Sequence, residues 1–251
     1  MDLNCDLGES FGAWTMGDDV AVLPHVTSVN VACGFHAGDP GVMRRTIAAA
    51  LRAGAAIGAH PGLPDRQGFG RRAMEVTPDE VYELVVYQTG ALAAFATAAG
   101  THLAHVKPHG ALYNMAAARR DLADAIVRAV HDVDAGLALY GLAGSHLVDA
   151  ADAAGLRAVP EAFADRAYLP DGALVPRSRP DAMIHDVAEA VARAIRMARD
   201  RRVRAVDGSD VTLRAETICI HGDGKDAALF AKELRLGLET AGVRVTAPAR
   251  A

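Results

Sequence analysis

Aromatic residues make up only 5% of the 251-residue chain, which argues against a groove of stacked rings for sugars. Cysteine is equally sparse. Cys5, Cys33 and Cys219 are odd in number and far apart, which excludes a disulfide scaffold and suits free thiols in a reducing cytosol. No apolar run reaches the roughly 18 residues that a transmembrane helix needs. The opening Met1-Asp2-Leu3-Asn4-Cys5-Asp6 has neither the basic nor the apolar stretch of a secretory leader, so a cytoplasmic protein with no membrane partner is expected. Positive charge is not in excess either. Lys+Arg number 26 against 31 Asp+Glu, a formal net charge of -5, and nucleic acid held on a generally basic surface is excluded. With 51% hydrophobic and 23% charged residues, the chain is neither disordered nor fibrous. Lysine is the scarcest cation: Lys107, Lys225 and Lys232 stand among 26 basic residues. Where arginine is the default, a lysine marks a position that calls for a point charge.

Length alone allows one or two domains, but no linker, low-complexity segment or internal repeat divides the chain. Short apolar runs near 2–6, 27–34, 55–60, 102–107, 136–141, 157–161, 216–221 and 243–246 read as buried strands. Amphipathic stretches of helical length lie between most of them. The clearest starts at Thr77-Pro78-Asp79-Glu80, a capping box with proline at the first helical position. Val81, Leu84, Val85, Leu92 and Phe95 then mark one buried face. Another helix starts at Asp39-Pro40 and stops at Gly54; two more are expected over about 181–200 and about 226–240. This strand-helix alternation means a parallel sheet covered by helices. Polar residues follow nearly every strand instead of gathering at one switch point, which favours a closed TIM-like (β/α) barrel, a single domain over 1–251, over an open doubly wound sheet.

The predicted C-terminal strand ends carry Asn4, Asp6 and Glu9; Asn30 and His36; His60 and Asp65; His105, Lys107 and His109; Glu161, Asp165 and Arg166; and His221 with Asp223. A parallel βα fold brings such ends to one rim. The opposite rim is bland, reading Ala53-Gly54-Ala55-Ala56, Ala99-Gly100-Thr101 and Ala154-Gly155-Leu156, so the active or binding site belongs on the C-terminal rim. Alternation puts Asn4 and Asp6 on one face and Cys5 on the other, towards the helices. Cys219 shares a face with His221, but nothing near it marks an activated thiol, and it reads as core packing. Asp6, His36, His60 and His221 offer nitrogen and carboxylate ligands for a divalent metal. No tight His-x-x-x-His spacing supports that set, and acid-base or hydrogen-bonding roles are favoured over it. Gly68-Phe69-Gly70-Arg71-Arg72-Ala73 has the outline of a dinucleotide loop but stands eight residues after His60, and reads as a flexible Gly-Arg loop. Gly224-Lys225 resembles the end of a Walker A loop, but Asp226 stands where Ser or Thr is needed.

Six blocks resemble one known family. Asp2-Leu3-Asn4-Cys5-Asp6-Leu7-Gly8-Glu9-Ser10-Phe11-Gly12, the stretch Asn30 to Pro40, and Gly58-Ala59-His60-Pro61-Gly62 with Gly68-Phe69-Gly70-Arg71-Arg72 are similar to the LamB/YcsF family, which supplies the A component of ATP-dependent 5-oxoprolinase. So are Val106-Lys107-Pro108-His109-Gly110-Ala111-Leu112-Tyr113-Asn114, the stretch Glu161 to Tyr168, and Ile220-His221-Gly222-Asp223. Together they span residues 2 to 223 in order. Leu63 stands where an aromatic residue is expected, which touches at most a rim contact. The resemblance implies a seven-stranded glycoside hydrolase/deacetylase-like barrel, so one of the eight apolar runs is peripheral. It also implies hydrolysis of 5-oxo-L-proline (pyroglutamate) to L-glutamate with ATP as co-substrate, together with two partner subunits, B and C.

That reaction needs a base for water, a proton donor for the ring nitrogen and cations for carboxylate and phosphate. Asp6 and Glu161 are candidate bases, and His60, His109 and His221 candidate acids or donors. Lys107 and Arg166 are candidate cations, Arg166 by a bidentate grip. Asn4, Asn30, His36, Asp165 and Asp223 complete the substrate-binding candidates. Two structural readings stay open: Asp165 and Arg166 as an ion pair, and Asn4 as a partner for backbone groups. Two other functions also remain, a metal-dependent deacetylase-type amidohydrolase acting alone and a non-catalytic substrate-binding subunit.

Overall fold

Alternation along the first strand sets the architecture. In a computed structural model that describes residues 1–221 and 226–248, β1 (Asp2–Leu7) is buried along its whole length. Leu3, Cys5 and Leu7 join the main apolar cluster, whereas Asn4 and Asp6 face inward to other polar side chains. Beside β1 lies β2 (Ser28–Ala32), followed round the sheet by β3 (Ala56–His60), β4 (His105–Val106), β5 (Ala138–Leu142) and β6 (Ala158–Phe163). After an antiparallel hairpin of β7 (Arg202–Arg204) and β8 (Asp210–Thr212), β9 (Thr217–His221) pairs with both β6 and β1 and closes a seven-stranded parallel barrel. Register aligns Asp6 with Asn30 on one side and with His221 on the other. Closure thus brings residues far apart in sequence to one level of the barrel.

The helices are α1 (Asp19–Val22), α2 (Pro40–Ala53), α3 (Pro78–Ala98), α4 (Gly110–Ala118), α5 (Arg120–Val133), α6 (His146–Ala153), α7 (Val187–Asp200) and α8 (Ala227–Thr240). Asp39 caps α2 by accepting from the Val42 amide, and Gly54 ends it in the left-handed region. The capping box of α3 forms as expected, with Thr77 and Glu80 serving each other's backbone amides. Leu122, Ile126, Val127 and Val130 of α5 are buried, the one-sided pattern that holds a helix against its neighbours. Among the described residues no helix is long and apolar enough to cross a membrane.

Two expected elements change. Residues 243–246 form no strand: the segment lies alongside the chain start, where the Met1 ammonium donates to the Arg244 carbonyl and the Thr246 amide donates to the Met1 carbonyl. With β1 already bonded on both sides by β2 and β9, the barrel has no edge to receive it. The helix expected from about 181 begins at Val187, with Asp186 as its cap. The residues before it belong to a long loop pinned by bridges Arg166–Met183 and Tyr168–Leu174. Leu63, which stands where the resemblance leads one to expect an aromatic residue, is fully buried.

The barrel interior is unusually polar. Asp2, Asn4, Ser28, Asn30, His105, Tyr140, Glu161 and Thr217 are all buried, where such barrels are mostly filled by branched apolar residues. Asp2 forms the floor: Thr27 and Ser28 donate to its Oδ1, and Thr217 and Tyr140 to its Oδ2. One level up, the His105 ring stacks on Tyr140 at 4.1 Å and donates from Nε2 to Asn30 Oδ1 at 2.7 Å. Gly58 leaves the space for that ring, since a Cβ there would overlap the imidazole. Gly58→Ala is therefore expected to cost about 1–3 kcal/mol by overpacking, read as a lowered urea midpoint; an unchanged midpoint would show that His105 moves aside freely.

Candidate active site

The interior network rises to Lys107, which is 2% exposed at the C-terminal end of the barrel. Its Nζ donates to Asp6 Oδ1 at 3.0 Å, Cys219 Sγ at 2.9 Å and Asn4 Oδ1 at 3.2 Å. Glu161 Oε1 also lies 3.0 Å away. Asn4 donates to Glu161 Oε1 at 2.8 Å, and Asn30 donates to both Asn4 and Asp6. Burial alone would drive the Lys107 ammonium towards neutrality, but Asp6, Cys219 and Glu161 outweigh it and hold its pKa well above the usual range. Burial likewise opposes the Asp6 carboxylate, and His60 and Lys107 outweigh it and pull its pKa well down. Burial pushes the Cys219 thiol well up. Cys219, read from sequence as core packing, is fully buried in an apolar cluster with Phe163 and Tyr168 and also accepts from Lys107. Asn4 also proves to serve side chains rather than backbone groups.

Beside this hub is a histidine cluster. His60 Nδ1 donates to the Lys107 carbonyl at 2.7 Å, and His109 Nε2 donates to the Phe69 carbonyl at 2.7 Å. His60 Nε2 lies 3.4 Å from Asp6 Oδ2. His36 stacks on His109 with ring centroids 3.7 Å apart, and Glu9 Oε1 is 3.8 Å from both His36 Nε2 and His109 Nδ1. The Gly-Arg segment that read as a flexible loop is a turn with internal order. Asp65 accepts from the Gly68 amide at 2.9 Å and pairs with Arg72. Phe69 sits at φ 55°, presenting its carbonyl to His109.

On the other side, the Asp165 carboxylate does not pair with Arg166. It accepts from His221 Nδ1 at 2.6 Å, and Arg177 donates to His221 Nε2 at 2.7 Å. Burial opposes the Asp165 charge, but His221 outweighs it and lowers the pKa. The Arg166 guanidinium instead donates to the carbonyls of Val175 and Ala182 in the long loop, and burial beside Arg177 brings it down to about 10. The structure divides the sequence-derived metal set between two adjacent groups, His36 and His60 in one and Asp6 and His221 in the other, with Asp6 3.4 Å from His60. His36 and His60 fall in the histidine cluster, Asp6 is bound to Lys107, and both ring nitrogens of His221 are engaged by Asp165 and Arg177. Asp223, like the Gly224-Lys225 pair, lies outside the described residues.

These groups surround a cleft of about 820 Å³ whose lining includes Asp6, His60, Arg71, Lys107, Arg166 and Arg177. Three arginines lining one cavity suit a small anionic ligand. Sequence reasoning assigns no role to Glu9, Tyr113 or Arg177. Glu9 and Tyr113 lie within the quoted blocks, so their place beside Asp6 and His109 in sequence was the available signal. Arg177 comes from a loop with no periodicity, and nothing in the sequence pointed to it.

The LamB/YcsF family profile matches residues 1–251. A relative from Bordetella pertussis, named as the A component of 5-oxoprolinase, is 62% identical over 247 residues, covering 98% of each chain. One of the same name from Bacillus subtilis is 57% identical, covering 98% of this chain and 96% of its own. The solved lactam utilization protein of Thermus thermophilus superposes with a TM-score of 0.93 at 50% identity, over 98% of this chain and 99% of that one.

Because Lys107 neutralises buried carboxylates, Lys107→Met is expected to destabilise the fold by about 3–5 kcal/mol. Adding Asp6→Asn and Glu161→Gln should restore a large part of the loss in urea denaturation. A second prediction concerns acid. The Arg72 hydrogen bond leads the effects that bring the Asp65 pKa down to about 2, below its unfolded value of about 3.9. Its contribution to stability is present above about pH 4 and lost as pH falls through about 2. Asp65→Asn should flatten that part of the acid limb of the stability curve, and an unchanged limb would remove the turn from the account.

Proposed function

The chain belongs to the LamB/YcsF family, and on that footing we propose that it acts as the A component of an ATP-dependent 5-oxoprolinase. The reaction opens 5-oxo-L-proline to L-glutamate while ATP becomes ADP and phosphate, and the chain works with partner subunits B and C. We place it in the cytoplasm, where its three buried cysteines remain reduced. The observation that carries the reading, beyond the family, is the buried Asp6–Lys107 pair at the base of a cleft lined by Arg71, Arg166 and Arg177. A small substrate bearing a carboxylate, and a phosphate during turnover, matches that charge.

A five-membered lactam is a resonance-stabilised amide and a poor electrophile. Transfer of the γ-phosphoryl group of ATP to its oxygen makes the ring carbon open to attack. Water then adds to that carbon and gives up a proton, the carbon–nitrogen bond breaks as nitrogen takes a proton, and a second water releases phosphate from the acyl phosphate that results. Asp6, held as a carboxylate, accepts the proton of the attacking water. His221, oriented by Asp165 through Nδ1, carries the proton to the ring nitrogen once Arg177 leaves Nε2 for the substrate. Lys107 and Arg166 neutralise charge that builds up on oxygen. Asn4 and Asn30 hold Asp6 and Lys107 in register.

A second reading, a metal-dependent amidohydrolase acting alone, is favoured by the histidine cluster and requires neither ATP nor partners. Glutamate release from 5-oxo-L-proline separates the two. We expect turnover only when the chain, both partner subunits and ATP are present, and a fall of at least about 100-fold in the complex carrying Asp6→Asn. No turnover with folded chain and sound partners would overturn the proposal, and turnover by the chain alone without ATP would favour the second reading.

A further inference from the structure

The histidine cluster has an arrangement that hydrogen bonding within the protein leaves incomplete. His60 Nδ1 and His109 Nε2 each carry a proton, because each faces a backbone carbonyl at 2.7 Å that can only accept. The opposite nitrogens, His60 Nε2 and His109 Nδ1, face each other across 3.0 Å, where at most one proton can lie between them. Among the described residues neither ring nitrogen of His36 has a hydrogen-bond partner, although the residue is 1% exposed. The Glu9 carboxylate closes the group, 3.8 Å from His36 Nε2 and from His109 Nδ1. One ligand atom from each of Glu9, His36, His60 and His109 lies within 4.8 Å of the others.

We propose that Glu9, His36, His60 and His109 form a binding site for a divalent transition-metal ion of the zinc type. Three imidazole nitrogens and one carboxylate oxygen are the donor set such an ion prefers. Ligand atoms about 2.0–2.1 Å from a tetrahedral centre stand about 3.3 Å apart; three of the separations here are 3.0, 3.8 and 3.8 Å, and all four atoms lie within 4.8 Å of one another. The carbonyls of Lys107 and Phe69 are the outer partners that fix the tautomer of metal-bound histidines. His36 lies parallel to His109, so its ring must rotate out of the stack to aim a lone pair at the ion. It is the one ring of the three with no hydrogen bond to resist that rotation. Gly70 permits the close assembly, since a Cβ there would crowd both His36 and His109.

A single proton between His60 and His109 would satisfy that pair but leave both nitrogens of His36 unserved, whereas a cation answers all three rings together. The other potential ligand group, Asp6, Cys219 and His221, is different in kind. There the Lys107 ammonium already bonds Asp6 and Cys219, and Asp165 and Arg177 engage His221. Access to the proposed site is open from two sides. His60 and His109 line the large cleft, and Glu9 and His36 line a smaller apolar pocket with Phe11, Trp14 and Phe69.

Metal binding at this site is read directly, without substrate. The full chain, stripped with a chelator, is titrated with Co²⁺ as a visible probe and then with Zn²⁺ in competition. We expect one equivalent of Co²⁺ with the intense visible bands of a tetrahedral site, displacement by Zn²⁺, and a rise in melting temperature on loading. His36→Ala and Glu9→Gln should each weaken binding by at least about 10-fold, whereas His131→Ala, at an exposed histidine, should leave it unchanged. Glu9→Gln keeps the side-chain shape and serves if His36→Ala does not fold. Absence of saturable one-to-one binding, or binding that persists at full strength in the folded cluster variants, would overturn the proposal.

Discussion

The rest of the structure depends on one buried cation. The Lys107 ammonium sits where Asp6, Glu161, Asn4 and Cys219 meet, inside a barrel closed by seven strands. Two buried carboxylates without it would repel each other and lose their hydration with nothing in return. With it, each charge is paired and most of the remaining donors and acceptors find partners. The scarcity of lysine has a physical sense here. A compact point charge on a flexible stem suits single acceptors converging from several strands, whereas a guanidinium presents its donors in a fixed planar fork.

The same network makes fold and candidate chemistry hard to separate. From Asp2 at the floor, hydrogen bonds run through Thr217 and Asn4 to Glu161 and Lys107, and through Asn30 to Asp6. Asp6 is held by Asn30 and Lys107 on one carboxylate oxygen and approaches His60 with the other. Its position is therefore set by side chains from three other strands or their ends. Such cross-support fixes orientation before any ligand arrives, which is what preorganised catalysis requires. It also couples stability to the site, since few members can be removed without leaving a buried partner exposed to the loss.

Charge then divides the rim into two territories that meet at Asp6. Towards β9 and the long loop after β6, Arg166, Arg177 and the Asp165–His221 pair face the cleft, a setting for anions and proton transfer. Towards β2 and β3, the three imidazole rings and Glu9 offer nitrogen and carboxylate donors, a setting for a cation. The Gly68–Arg72 turn joins them, because its Phe69 carbonyl orients His109 while Arg71 lines the cleft.

Much of this was legible in the chain itself. Alternation alone placed Asn4 and Asp6 inward with Cys5 outward, and the capping residues at Asp39 and Thr77 marked helix starts that the structure keeps. Polar residues after successive strands located the rim, and the quoted blocks identified the family. These are local properties, set by the two-residue period of a strand and by backbone groups within one helical turn. Which inward side chains meet across the barrel was decided only by closure. No local pattern could pair Asp165 with His221 instead of its neighbour Arg166, bring Cys219 onto Lys107, or turn Glu9 towards His36 and His109. Nor could it deny a place in the sheet to the apolar run at 243–246, since that depended on β9 already bonding β1. A strand's period tells which face a residue takes; the partner it finds there depends on strand order, register and loop path, which exist only once the ring of strands has closed.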